Sequence, residues 1–131
     1  MLIGQLAARS GVPARTIRFY EERGILPEPS RTDSGYREYA ESDVHRLRFL
    51  RAAQDAGLTL AEIRSVFAIR ARGEAPCEHT LALLEAKRSE VTDRLESLEA
   101  LQEELGRLIQ RGRVIMPTSC DADAVCSIIS P

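Results

Sequence analysis

Tryptophan is absent from the 131 residues, and aromatic side chains make up only 5% of them. A large aromatic-rich core is therefore not expected. Lysine is almost absent too: of the 18 basic residues only Lys87 is not arginine. No apolar run approaches the ~18 residues that a bilayer-spanning helix needs, so no membrane partner is expected. The opening Met1-Leu2-Ile3-Gly4-Gln5 lacks the basic-then-apolar plan of an export signal, which points to a cytoplasmic protein. Cysteines number three, a poor basis for a disulfide framework in such a chain. Metal ligation, redox sensing and inert burial stay open for Cys77, Cys120 and Cys126. Three thiols also fall short of the four clustered cysteines that a typical iron–sulfur centre uses. Neither clustered Asp, Glu and His nor a nucleophile–base pair stands out, so an enzyme is not expected.

What is present suits a globular chain. Apolar residues make up 44% and charged residues 29%, close to the average for folded proteins. The length fits one compact unit, or one small domain with an extension. The net charge of −2 does not by itself suggest nucleic acid, but its distribution is uneven. Residues 1–58 hold nine Arg and eight acidic residues, a net of +1; residues 59–131 hold nine basic and twelve acidic residues, a net of −3. Arginine's planar fork of donors suits phosphate.

The apolar spacing over residues 2–8 predicts a short helix with Ile3, Leu6 and Ala7 on one face. Ser10-Gly11-Val12-Pro13 breaks it, and Pro13 suits the first turn of a second helix over about Ala14–Arg23, with Ile17 and Tyr20 inward and Gly24 as the stop. Two short helices joined by a tight glycine-containing turn make a helix-turn-helix. Pro27 and Pro29 exclude a helix next, and Arg31 to Tyr39 predicts a small hairpin turning at Asp33-Ser34-Gly35, which would be a wing. Ser42 or Glu41 is read as the cap of a helix reaching about Ala56, with Val44, Leu47, Leu50 and Ala53 as its apolar stripe. Thr59 with Glu62 forms a capping box for a fourth helix bearing Leu60, Ile63, Val66 and Phe67, which ends near Arg72-Gly73. Tyr39 and Phe19 are read as core residues, and Arg23 as a charge at a helix C-terminus.

One long helical pattern follows from about His79 to Gly112. Positions 81, 84, 88, 91, 95, 98, 102, 105 and 109 hold Leu, Leu, Arg, Val, Leu, Leu, Gln, Leu and Ile, the alternating three–four spacing of a coiled-coil seam. At 1.5 Å per residue such a helix spans roughly 50 Å. So small a domain leaves the stripe uncovered, and two antiparallel copies would cover it economically. The tail from Val114 holds Pro117, then a short loop with Cys120 and Cys126 at its ends, then an apolar stub.

Arg15-Thr16-Ile17-Arg18-Phe19-Tyr20-Glu21, followed by Arg31 and Ser34-Gly35-Tyr36-Arg37-Glu38-Tyr39, closely resembles the recognition helix and wing of the MerR family of transcription regulators. Asp43–Leu50 and Gly57–Ile63 fit as well, and the resemblance covers essentially the whole chain. It implies a mostly α fold: a winged helix-turn-helix domain over residues 1–72, a long antiparallel dimerisation helix over 77–113, and a short metal-binding loop and tail over 114–131. In such a fold the second helix enters the major groove, where Arg15, Thr16 and Arg18 reach base edges or phosphate. Tyr20, Arg31, Tyr36 and Arg37 grip phosphates from the wing side, which fixes register more than sequence.

The resemblance also gives the cysteines a role. Metal sensors of the family carry two cysteines in a loop after the dimerisation helix, matched by Cys120 and Cys126, and sensors of divalent ions carry another at that helix's start, matched by Cys77. Sensors of monovalent, copper-type ions typically have serine there. A divalent thiophilic ion is thus implied, Hg first, then Zn, Cd or Pb. An antiparallel dimer would set Cys77 of one chain beside the loop of the other, giving up to three sulfurs. Zn normally takes four ligands, so His79, Asp121 or Asp123 would have to join it. The five-residue loop 121–125 is shorter than usual for these sensors, and the stretch from Cys77 to Cys120 is longer. The expected function is a homodimeric, metal-responsive activator that binds double-stranded promoter DNA, distorts it on metal binding and so lets RNA polymerase engage. The alternatives are the same fold sensing oxidants or electrophiles through Cys120 and Cys126, or a monovalent copper-type ion sensor.

Overall fold

The structure, a computed structural model, describes residues 1–130, and for Ser119 the backbone only. Five α-helices and one two-stranded sheet make up its regular elements. Helix α1 spans Ile3–Ser10 and is closed by Gly11 in the left-handed region at φ 73°, a conformation that a side chain would oppose. Helix α2 spans Ala14–Glu22. Strands β1 (Ser30–Arg31) and β2 (Arg37–Glu38) pair antiparallel, with Ser30 opposite Glu38 and Arg31 opposite Arg37. The loop between them closes where Thr32 N–H donates to Tyr36 O at 2.8 Å and Gly35, at φ 85°, donates to Thr32 O at 2.9 Å. The turn thus falls where Asp33-Ser34-Gly35 predicted it.

Helices α3 (Glu41–Asp55) and α4 (Leu60–Ala71) complete the packing. The buried residues of α3 are Val44, Leu47, Leu50 and Ala53, the four of its predicted stripe. With Leu6, Ile17 and Ile63 they form a core whose largest members are completely excluded from solvent. Each such aliphatic side chain contributes about 1.5–3 kcal/mol of burial. Two readings are corrected. The N-cap position of α3 is Ala40, and its N–H is taken by the Asp43 carboxylate at 2.9 Å, because an acidic residue at the third helical position reaches back over the helix start. Phe19 is not in the core: it is 38% exposed, its ring tilted 57° against Tyr20 and capped by the Arg23 guanidinium 5.1 Å from its ring centre.

Helix α5 runs from Cys77 to Val114, 38 residues, two longer at each end than its apolar spacing indicates. The chain divides into two compact units within this helix, Met1–Lys87 and the part from Arg88 onward. In the first unit the start of α5 is tied to α4. Lys87 pairs with Glu62 at 2.9 Å, and the Ser65 hydroxyl lies 2.7 Å from His79 Nε2. In the second unit the seam residues Val91, Leu95, Leu98, Leu105 and Ile109 are all about half exposed, and no residue of α5 is buried. The tail folds onto the end of this helix: Arg111 donates to Ile128 O at 2.8 Å, and the Ile128 side chain lies over Gly112, where an added Cβ would come within 3.1 Å of it.

The capping box of α4 carries an acid-sensitive element. Thr59 N–H donates to Glu62 Oε1 at 2.9 Å, and Lys87 pairs with the same carboxylate. These two interactions, the backbone one foremost, lower the Glu62 pKa from 4.5 to about 2. A carboxyl depressed in the folded state stabilises the fold fully above its ordinary pKa and loses that contribution as pH falls toward the depressed value. The window therefore runs from 4.5 down to about 2. Glu62→Gln is expected to flatten the dependence of the urea midpoint on pH in that window. Identical acid limbs for variant and wild type would refute the assignment.

Candidate DNA-binding face and thiol loop

The helix-turn-helix and wing bring four sequence-predicted residues to one cleft. Arg18 of α2 and Arg31, Tyr36 and Arg37 of the wing line a cavity of about 720 Å³ whose floor is the start of α1. Arg31 is held by donating to Gly35 O at 2.8 Å, which braces the wing tip while leaving the guanidinium exposed. Tyr36 is 65% exposed. Arg37 pairs with Glu21 at 3.4 Å, and Glu21 also accepts the Tyr39 hydroxyl. Burial first, and then that bond to Glu21, raises the Tyr39 pKa, so the phenol stays a donor. Glu21 thereby couples the recognition helix to the wing, a role not read from the sequence. The Tyr20-Glu21 pair of the motif was its only trace.

Arg15 and Arg18 are exposed along α2 and Thr16 is half-buried. Tyr20 stands elsewhere: it is 6% exposed and its hydroxyl donates to Gln54 Oε1 at 3.3 Å. This is the inward side of α2 that the spacing of Ile17 and Tyr20 predicts. Its ring faces inward with Ile17, one helical turn earlier, and packs α2 on the core.

The thiols occupy two settings. Cys77 is the first residue of α5 and is exposed. His79, two residues on, lies on another helix face. The Ser65 hydroxyl donates to Glu62 O, so His79 must donate to Ser65 through Nε2. In the second unit Cys120 is exposed and Cys126 half-buried. A single 3₁₀ turn, Pro117–Ser119, leads into their loop, where Asp123 N–H donates to Asp121 Oδ1 at 2.9 Å and Ser130 N–H to Cys126 O at 3.0 Å. The Cys120 sulfur lies 3.1 Å from the Ser127 hydroxyl. That hydroxyl, and after it the Ser127 backbone, lower the Cys120 pKa below the usual thiol value, against a smaller opposing effect of burial. Ser127 is a second residue missed in the sequence. Among the described residues, no three His, Cys, Asp or Glu side chains converge as a ready metal site.

A family model described as MerR HTH family regulatory protein matches residues 1–68, and one described as MerR, DNA binding, matches residues 44–108. The chain belongs to the MerR family. It is therefore a DNA-binding regulator of transcription, and the family's members are regulators rather than enzymes. Among curated relatives, the mercuric resistance operon regulatory protein of Bacillus cereus is 38% identical over 109 residues, 83% of each chain. Among solved structures, the regulator PbrR691 from Ralstonia metallidurans CH34 in complex with lead(II) is 36% identical, with a TM-score of 0.76 over 98% of this chain and 96% of that one. The MerR regulator of Bacillus megaterium MB1 in complex with mercury(II) is 28% identical, with a TM-score of 0.64 over 98% and 96% of the two chains. The mostly α fold, with a helix-turn-helix followed by a long C-terminal helix, is the fold of these MerR regulators. Among the described residues no helix is long and apolar enough to cross a membrane.

Proposed function

We propose that this MerR-family chain is a metal-responsive activator that sits on double-stranded promoter DNA as a homodimer and responds to a divalent thiophilic ion, Hg first, then Zn, Cd or Pb. Residues 1–72 bind DNA, 77–113 pair the two copies, and 114–131 hold the ion. The observation that carries the reading is the thiol loop. Cys120 is exposed, favoured as thiolate by Ser127, and set on a tail fastened to the end of α5. Thiolates are soft donors for these ions; a relative named for mercury resistance is 38% identical over 83% of the chain, and a lead-bound regulator shares its fold. Cys120 and Cys126 of one protomer would hold the ion together with Cys77 of the other. Three thiolates suit Hg(II) or Pb(II). For Zn(II) a fourth ligand would come from Asp121 or Asp123 sooner than from His79, whose ring is engaged with Ser65.

The ion supplies strong bonds to sulfur. The chain converts them into a preference for one arrangement of the dimer, and only that differential affinity can shift the equilibrium. Distorting the promoter costs about 1–6 kcal/mol, which is within reach of such a preference. RNA polymerase then engages a promoter whose elements were poorly spaced. The test is elemental analysis and competitive titration of the reduced protein with Hg(II), Cd(II), Pb(II) and Zn(II), beside transcription from its own promoter. Absence of tight binding by all four would overturn it. The lowered Cys120 pKa also favours a second reading, in which Cys120 and Cys126 sense oxidants or electrophiles. Induction by peroxide or aldehyde in metal-free medium would support that one instead.

The DNA face gives its own expectation. Arg18→Ala and Arg37→Ala should each weaken operator binding, and the slope of log affinity against log salt should become shallower by about one for each phosphate that the variant leaves unneutralised. Both residues line the cleft between α2 and the wing. Unchanged affinity and slope in both variants would remove this cleft from the DNA interface.

A further inference from the structure

The Ser127 hydroxyl is placed to donate to the Cys120 sulfur once that sulfur is a thiolate. Ser127 is only 8% exposed, in a tail otherwise largely open to solvent. Its neighbour Ile128 is fastened twice to α5, through its carbonyl to Arg111 and through its side chain over Gly112. Asp121 N–H points at the Ser127 oxygen from 3.3 Å. A backbone N–H can only donate, so this oxygen accepts there. A hydroxyl has one hydrogen, and among the described residues the other polar neighbour at bonding distance is the Cys120 sulfur, at 3.1 Å. A neutral thiol can take either role in such a pairing. A thiolate, free or bound to an ion, has no hydrogen and only accepts. The hydrogen bond is therefore at its strongest in the form of Cys120 that ligates. Groups that hydrogen-bond to a ligand from behind orient it and tune its basicity, and their loss typically weakens metal binding about 10–100-fold.

We propose that Ser127 is the positioning residue of the thiol site: its hydroxyl, held by Asp121 N–H, donates to Cys120 and fixes that sulfur for a soft divalent ion. The proposal rests on the reading of Cys120 as a ligand. Asp121 takes part through its backbone N–H, and its Oδ1 accepts from Asp123 N–H.

Cd(II) is the probe, followed by sulfur-to-cadmium charge-transfer absorption in competition with a chelator, on the full reduced protein. Ser127→Ala should bind Cd(II) about 10–100-fold more weakly than wild type. Ser127→Thr, which keeps the hydroxyl, should recover most of that loss. In a Cys120→Ser background, Ser127→Ala should cost little further, because the sulfur it serves is gone. Equal affinity of Ser127→Ala and wild type overturns the proposal. So does a Ser127→Ala loss that persists undiminished without Cys120, which would mark a purely structural role. The underlying reading fails separately, if Cys120→Ser binds Cd(II) as tightly as wild type. A weak Cys120→Ser beside an unimpaired Ser127→Ala leaves that reading standing and removes Ser127 from it.

Discussion

Leu95→Asp is expected to leave the protein monomeric or insoluble. Leu95 sits near the middle of the α5 seam and is 55% exposed in the protomer, with Val91 at 52% and Leu98 at 61% on the same stripe. Such a row of aliphatic residues at three–four spacing is unfavourable in water, since burying one leucine fully is worth about 1.5–3 kcal/mol. In a two-fold assembly the same residue enters the interface from both copies, so one substitution acts twice. A carboxylate there gives up the leucine's apolar packing and meets the desolvation cost of an unpaired buried charge, several kcal/mol per ion. Ser97→Asp is the control, because residue 97 lies off the seam and is exposed. Sedimentation at micromolar concentration should find a dimer for wild type and Ser97→Asp, and none for Leu95→Asp. A monomeric, soluble wild type would overturn the paired-helix reading.

Periodicity explains which parts of the fold could be read from the sequence. The stripe of α3 repeats every three to four residues, and Val44, Leu47, Leu50 and Ala53 are its buried residues. The Thr59–Glu62 box stands where its spacing puts it, because a cap is a local arrangement closed within four residues. Phe19 is the ring that the spacing misplaced, and the links it missed are those between partners far apart in sequence. Tyr20 lies inward with Ile17, as the spacing indicates, while Phe19 beside it, read as core, stays out under Arg23. Neighbours on a helix differ by about 100° in direction, so with Tyr20 inward the adjacent Phe19 turns away from the core. The link from Glu21 to Tyr39 spans 18 positions, and that from Cys120 to Ser127 spans seven through an irregular turn. Neither leaves a periodic signal. The thiols themselves were legible as residue types, whereas the hydroxyl that serves one of them was not.

Cys77→Ser should abolish the response to Hg(II) while leaving operator binding intact. Cys77 begins α5 and is exposed, and the arginines proposed to meet DNA stand on α2 and the wing, so its loss leaves their packing untouched. In the proposed shared site, losing one of three thiolates would leave a two-sulfur site, with lower affinity and no bridge between protomers. Bound metal must displace thiol protons, so wild-type affinity should also fall as pH is lowered. A mixed dimer tests the geometry directly. One chain carries Cys77→Ser and the other Cys120→Ser. If each ion is shared across the dimer, the second chain's Cys77 and the first chain's Cys120 and Cys126 still form one complete site. If each ion is bound within one chain, no complete site is left. The expected result is therefore one Hg(II) per mixed dimer at near wild-type affinity, and none at that affinity in either parental homodimer. A mixed dimer as defective as its parents would put all three sulfurs on one chain. A Cys77→Ser homodimer that binds and responds to Hg(II) like wild type would make Cys77 a packing residue, leaving the loop pair to act alone.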